Sequence, residues 1–220
     1  CKMEQVKLVI FDMDGLLFDT ERTFFRAFQR SAKKLGYDFP FETYLKVVGV
    51  TDETGKQIFA EIYGEDSSIL HAFDLYHEEF DKIIAEEGLA MKPGAEQLLD
   101  VLDDKGIKKC IASSSPIEVI ERNLQLSGIQ DRFDFYVSGD EVEKGKPSPD
   151  IFLEALRRAG ENAENALVLE DSYHGLQAAV SANIRCIIIP DLIEPSDEMH
   201  RQAFQIYPNL GEVARFIIEK

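Results

Sequence analysis

The amino-acid sequence predicts an α/β fold, a Rossmann-like parallel sheet core carrying an inserted all-helical domain. Three observations support it. Short runs rich in β-branched and aromatic residues alternate with helical patterns along most of the 220-residue chain, the order that builds strand–helix–strand units with helices on both faces of a sheet. One long stretch, residues 20–88, breaks the alternation and carries only helical periodicity. Polar side chains gather at the ends of the strand-like runs, where an open parallel sheet binds its ligands.

Residues 6–11 form the first strand-like run, which leads directly into Asp12-Met13-Asp14-Gly15. In the stretch that follows, Phe24, Phe25, Phe28, Ala32 and Leu35 make one apolar stripe; Ile69, Ala72, Phe73, Tyr76, Phe80 and Ile83 make another. At helical spacing such stripes are expected to form a helix-bundle core. The turn signal Met91-Lys92-Pro93-Gly94 then returns the chain to the sheet. The expected division is therefore residues 1–19 and 91–220 as the α/β core, with 20–90 as the inserted helical domain.

Beyond the insertion, helices are expected at 95–104, 116–127, 149–159 and 173–182, and strands at 108–112, 133–137, 166–170 and 185–189. Ser115 reads as an N-cap, with Pro116 at the first helical position and Glu118 completing a capping box. Gly175, Ala178 and Ala179 are expected to let one helix pack closely on the sheet, and Asn183 to adopt a left-handed turn.

Lys and Arg total 24 against 41 Asp and Glu, a net charge of −17. That balance argues against nucleic acid or an anionic membrane as the main partner. It also requires a metal ion or a local lysine if the substrate is an anion. No apolar segment approaches the roughly 20 residues that span a bilayer, and the opening CKMEQVKLVI lacks a signal-peptide core. A cytoplasmic location is expected, and the acidic surface suits a monomer. Of the three cysteines, Cys1, Cys110 and Cys186, the last two sit in apolar runs and no metal-binding spacing occurs.

Four strand ends carry the chemistry: Asp12 and Asp14; Ser113, Ser114 and Ser115; Lys146 in the loop Lys144-Gly145-Lys146-Pro147-Ser148-Pro149; and Glu170 with Asp171. Hard oxygen ligands of this kind suit Mg²⁺, which usually retains waters and substrate phosphate oxygens. Mg²⁺ and a lysine would admit a phosphate to an acidic protein. A carboxylate can act as nucleophile through an aspartyl-phosphate while a second carboxyl handles the leaving-group proton. A phospho-accepting signalling domain uses a similar set of groups, but such modules are about half this length and lack a helical insertion after the first strand.

FDMDGLLFDTE (11–21), IASSS (111–115), KGKPSPDIF (144–152) and LEDSYHGLQAA (169–179) together resemble the motifs of the haloacid dehalogenase-like (HAD) superfamily. The resemblance is to the subgroup with a helical cap after the first motif, which includes β-phosphoglucomutase and small-metabolite phosphatases. It implies Asp12 as the nucleophile, Asp14 as general acid/base, Ser113 and Lys146 as phosphoryl-binding groups, and Mg²⁺ held by Asp12, the Asp14 backbone carbonyl, Asp171 and the nearby Glu170. Dehalogenase members lack an acid at the Asp14 position, so phosphoryl transfer is favoured. The mutase carries a cap histidine where this chain has Phe24, and a phosphate-gripping arginine where it has Asp52. Both departures point to a hydrolase, with the mutase as the alternative. Substrate contacts are expected from Ser114 and, in the cap, from Thr51, Asp52 and Lys56. A sugar phosphate or a nucleoside monophosphate is the expected substrate. His174 is expected to be structural or solvent-facing rather than a metal ligand.

Overall fold

A computed structural model of the chain describes residues 5–220; the first four residues of the expected core lie outside this range. The chain divides into two units, one of the described residues up to Phe18 with Ala90–Lys220, the other of Asp19–Leu89. β1 (Leu8–Phe11) precedes α1 (Thr20–Lys34), α2 (Phe41–Leu45), α3 (Asp52–Tyr63) and α4 (Ala72–Glu87), which belong to the second unit. The first unit resumes with α5 (Ala95–Asp104), β2 (Lys108–Ser113), α6 (Ile117–Leu126) and β3 (Phe135–Ser138). It continues with α7 (Asp150–Ala159), β4 (Ala166–Glu170), α8 (Tyr173–Ser181) and β5 (Arg185–Ile188), and ends with α9 (Asp197–Gln202), β6 (Gln205–Ile206) and α10 (Leu210–Ile218).

The sheet is parallel throughout, in the order β3-β2-β1-β4-β5-β6. A parallel sheet covered on both faces needs apolar side chains on both faces, and all four residues of β1 are fully buried. Leu8 and Ile10 share a core with Phe152 of α7 and Leu176 and Ala178 of α8. Val9 and Phe11 point the other way and are equally buried. Phe11 pairs with Ile111 of β2 and Leu169 of β4, so the residues just past these positions emerge together at the carboxyl edge.

β6 was not expected: two residues on the sheet edge, Gln205 exposed, are too short to show a strand pattern. β3 begins at Phe135 rather than 133; Phe133 instead packs edge-on to Phe11, ring centroids 5.4 Å apart. Asn183 has φ +58°, the left-handed turn its position called for. Cys110 and Cys186 are buried free thiols.

The second unit is helical from α1 to α4 and contains no strand. Its helices meet through aromatic rings. Phe24 stacks on Phe80 at 4.2 Å and Phe28 on Tyr76 at 4.3 Å, so α1 and α4 run in opposite directions against each other. Arg26 closes the same seam with two 2.6 Å hydrogen bonds to Glu87. Phe59 of α3 is fully buried beside Phe73, Phe39 and Tyr63.

Removing that ring leaves a cavity its neighbours cannot fill. Phe59→Ala is expected to cost about 3–5 kcal/mol of stability, read by urea unfolding; a loss under about 1 kcal/mol would mean the aromatic cluster repacks without it.

Candidate active site

Asp12 follows β1 immediately, and its N–H donates to the Leu169 carbonyl at 3.0 Å, extending the ladder by one residue. Glu170 ends β4 and Ser113 ends β2. The central position of β1 between β2 and β4 therefore assembles side chains far apart in the sequence. Lys146 reaches the same point from the loop between β3 and α7. Its ammonium donates to Asp12 Oδ1 at 2.9 Å, to Glu170 Oε1 at 2.6 Å and to the Ala112 carbonyl at 3.2 Å. The ammonium also lies over the Phe152 ring, 5.2 Å from its centroid.

Burial governs the electrostatics. The Glu170 side chain has no exposed surface, and those of Lys146 and Asp12 are 8% and 13% exposed. Burial alone would discharge the lysine, but the charges of Asp12 and Glu170 outweigh it and hold the ammonium above its ordinary pKa. Burial, then the Asp12 charge, pushes the Glu170 carboxyl upward against the pull of Lys146 and the Ser172 N–H. Glu170 Oε2 also accepts from the Asp171 and Ser172 N–H groups, at 3.2 and 3.3 Å, and from the Ser172 hydroxyl at 3.1 Å. Ser172 in turn caps α8 by accepting from the Gly175 N–H at 3.1 Å.

Two glycines make room for these carboxylates. A Cβ on Gly175 would lie 1.9 Å from Glu170 Cδ, so the residue is small for the sake of the acid, beyond any gain in helix–sheet packing. A Cβ on Gly15, at φ +74°, would lie 2.3 Å from Asp171 Oδ2. Asp12, Glu170 and Asp171 each present an oxygen within 4.8 Å of the others. Three converging hard oxygen donors fit Mg²⁺, which completes its coordination with waters and substrate phosphate oxygens. His174 is exposed and stands outside this group.

The capping box expected at Ser115 is absent. Pro116, with extended ψ of 153°, precedes the helix instead of opening it, and no side chain caps α6. Ser115 has a different partner: its hydroxyl donates to Asp14 Oδ2 at 3.1 Å. Its carbonyl accepts from the Ser138 hydroxyl at 2.7 Å, which fixes the β2 tip against β3. Sequence reasoning missed this role because serine before proline is also ordinary helix-start material. Ser113 is buried and accepts from the Ser115 N–H at 3.1 Å, while Ser114 is exposed beside it.

The remaining expected substrate residues lie in the helical unit and have partners there. The Thr51 hydroxyl caps α3 by accepting from the Thr54 N–H at 3.2 Å. Asp52 Oδ1 accepts from the Tyr76 hydroxyl at 2.9 Å, and Lys56 donates to Asp74 Oδ1 at 2.9 Å. Phe24, where the mutase has histidine, is held between Phe80 and Tyr76.

Residues 9–189 match the model of the haloacid dehalogenase-like hydrolase family. A phosphorylated carbohydrates phosphatase of Thermotoga maritima is 35% identical over 182 residues, covering 83% of this chain and 84% of its own. A provisionally named pseudouridine-5'-phosphatase of Drosophila melanogaster is 32% identical over 218 residues, covering 96% and 92%. The crystal structure of a provisionally named β-phosphoglucomutase from Thermotoga maritima superposes with a TM-score of 0.82 at 30% identity, covering 97% of this chain and 99% of that one.

Taking the ammonium away strands two buried carboxylates beside each other. Lys146→Met is expected to destabilise the protein by about 3–5 kcal/mol in chemical unfolding without added metal, and to lose less when Mg²⁺ is present. Equal stability of the variant and the parent would mean that Asp12 and Glu170 do not depend on the lysine.

Proposed function

The chain belongs to the haloacid dehalogenase-like hydrolases and is a phosphoric monoester hydrolase; from that premise we propose that it is a Mg²⁺-dependent phosphatase of a small phosphorylated metabolite, working through an aspartyl-phosphate on Asp12. The observation that carries the reading is the convergence of Asp12, Glu170, Asp171 and Lys146 at one edge of the sheet. Phosphoryl transfer asks a protein mainly for positioning and charge neutralisation, and that is what these groups offer.

In the first half-reaction an Asp12 carboxylate oxygen attacks phosphorus in line while the bond to the leaving oxygen breaks. Asp14 gives its proton to that oxygen, so the product leaves as an alcohol. Its carboxyl is steered by Ser115 rather than by Lys146, which separates the acid from the nucleophile two residues away. In the second half-reaction water attacks the acyl phosphate, Asp14 takes the water proton, and inorganic phosphate departs with Asp12 restored. Lys146 and the Ser113 hydroxyl bind the transferring oxygens. Asp12, Asp171, Glu170 and the Asp14 carbonyl would hold Mg²⁺, which when bound would supply the charge neutralisation that the dianion requires.

The hydrolase reading is preferred to the mutase because Phe24 and Asp52 serve the helical unit: one is stacked on Phe80, the other accepts from Tyr76. Neither offers a cation to a second phosphate. Ser114 in the core, and Thr51, Asp52 and Lys56 in the helical unit, are the proposed specificity residues. The substrate class is sugar phosphate or nucleoside monophosphate, consistent with the two phosphatase relatives.

Incubation with a panel of phosphorylated metabolites and Mg²⁺ should release inorganic phosphate from some sugar phosphate or nucleoside monophosphate. Isomerisation of β-glucose 1-phosphate to glucose 6-phosphate without such release would overturn the hydrolase. Asp12→Asn should abolish turnover; substantial residual activity would sink the nucleophile.

Ser115→Ala should act through Asp14. Its kcat on alkyl phosphates, which need a protonated leaving group, is expected to fall roughly tenfold or more, with a much smaller loss on aryl phosphates whose leaving group departs unprotonated. Equal losses on both would remove Ser115 from proton delivery.

A further inference from the structure

Lys92 and Asp191, 99 residues apart, form an ion pair at 2.5 Å with side chains only 11% and 4% exposed. No step of the proposed reaction uses it. Its surroundings connect it to the acidic cluster. The other Asp191 oxygen, Oδ2, lies 3.4 Å from the point a Cβ on Gly15 would occupy, and Asp171 Oδ2 lies 2.3 Å from that same point. Two carboxylates thus press on one side of Gly15, and one of them belongs to the cluster that fits Mg²⁺. Lys92 is itself fixed to the loop that Asp14 opens: its N–H donates to the Leu17 carbonyl at 2.8 Å, and the Gly15 N–H donates to Phe18 at 3.0 Å.

We propose that Lys92 and Asp191 are a positioning pair for the metal site, holding the Asp14–Phe18 loop and the Asp171 carboxylate where Mg²⁺ is bound. Lys92 neutralises Asp191, so that Asp171 meets no second free anion across Gly15 and keeps its oxygen directed at Asp12 and Glu170. Asp191 in turn holds the ammonium in a buried ion pair of its own. The inference rests on the Mg²⁺ reading of the cluster.

Charge alone makes the opposite prediction, which gives the test its edge. Removing a lysine from an acidic site should tighten cation binding, whereas removing a positioning group should weaken it. Removing both charges together, in Lys92→Met/Asp191→Asn, leaves the net charge of the site unchanged and strands no ion. Mg²⁺ is titrated calorimetrically into metal-stripped parent, Lys92→Met, the double variant and Lys92→Arg, with apo-protein melting curves confirming the fold. Partners outside the ligand shell typically change metal affinity 10–100-fold, so Kd is expected to rise roughly tenfold or more in the first two variants. Lys92→Arg, which keeps the pair, should stay within about threefold of the parent on the same scale. Parent-like binding by the double variant, or tighter binding by Lys92→Met, overturns the positioning role; if one of these two chains does not fold, the other decides. Absence of Mg²⁺ binding by the parent would instead overturn the metal reading itself.

Discussion

The architecture of this sheet edge depends on one buried ammonium. Lys146 lies between Asp12 and Glu170, and without it two carboxylates at the ends of adjacent strands could not both be ionised away from water. Its position is set by the sheet order. β1 is flanked by β2 and β4, so the lysine finds Asp12, Ala112 and Glu170 on three neighbouring strands and has a partner for each of its hydrogens. The rest of the site is arranged around that contact: Glu170 is further held by the start of α8, and Asp12 is left with a second oxygen for a metal or for phosphorus.

Crowding this many carboxylates into one place imposes a steric demand as well as an electrostatic one. Gly175 and Gly15 meet it by leaving out the only atom that would collide, a Cβ against Glu170 in one case and against Asp171 in the other. The two carboxylates therefore occupy space that a Cβ at either glycine would take. The proposed nucleophile and acid diverge by the same means. Asp14 follows the strand by two residues, and Gly15 turns the backbone so that its carboxyl meets Ser115 rather than Lys146.

What could be read in the sequence was whatever is local. Asp12, Lys146, Glu170 and Asp171 were legible because each closes a strand or a short loop, and strand ends of a parallel sheet share an edge. Asn183 was legible from its own turn. Ser115 was misread because its local pattern matched a helix cap, while its actual partner, Asp14, is 101 residues away. The two-residue β6 was invisible because two residues carry no period. The Lys92–Asp191 pair left no sign at all: each residue sits in ordinary turn material, and only the tertiary fold joins them. Phe24 and Asp52 were read through what they lack; the structure adds what they do, packing and hydrogen-bonding inside the helical unit.

A chain carrying a net charge of −17 must still admit a phosphate dianion. The global charge is the wrong scale for that question, because exposed charges beyond about 10 Å are screened by salt. At the site itself, Asp12, Glu170 and Asp171 bring three negative charges when ionised. Lys146 and the proposed Mg²⁺ together would bring three positive ones. Lys92 and Asp191 cancel each other, and Asp14 must hold a proton to act as an acid. The locus is then near neutral before substrate arrives, and a dianion meets a divalent ion and an ammonium at close range in a poorly screened setting. Without the metal the same locus would carry two unbalanced negative charges, Lys146 offsetting one of the three carboxylates, and would repel phosphate. On the Mg²⁺ proposal the acidic cluster would hold the metal, the metal and Lys146 would hold the phosphoryl group, and the protein's overall charge is free to serve solubility.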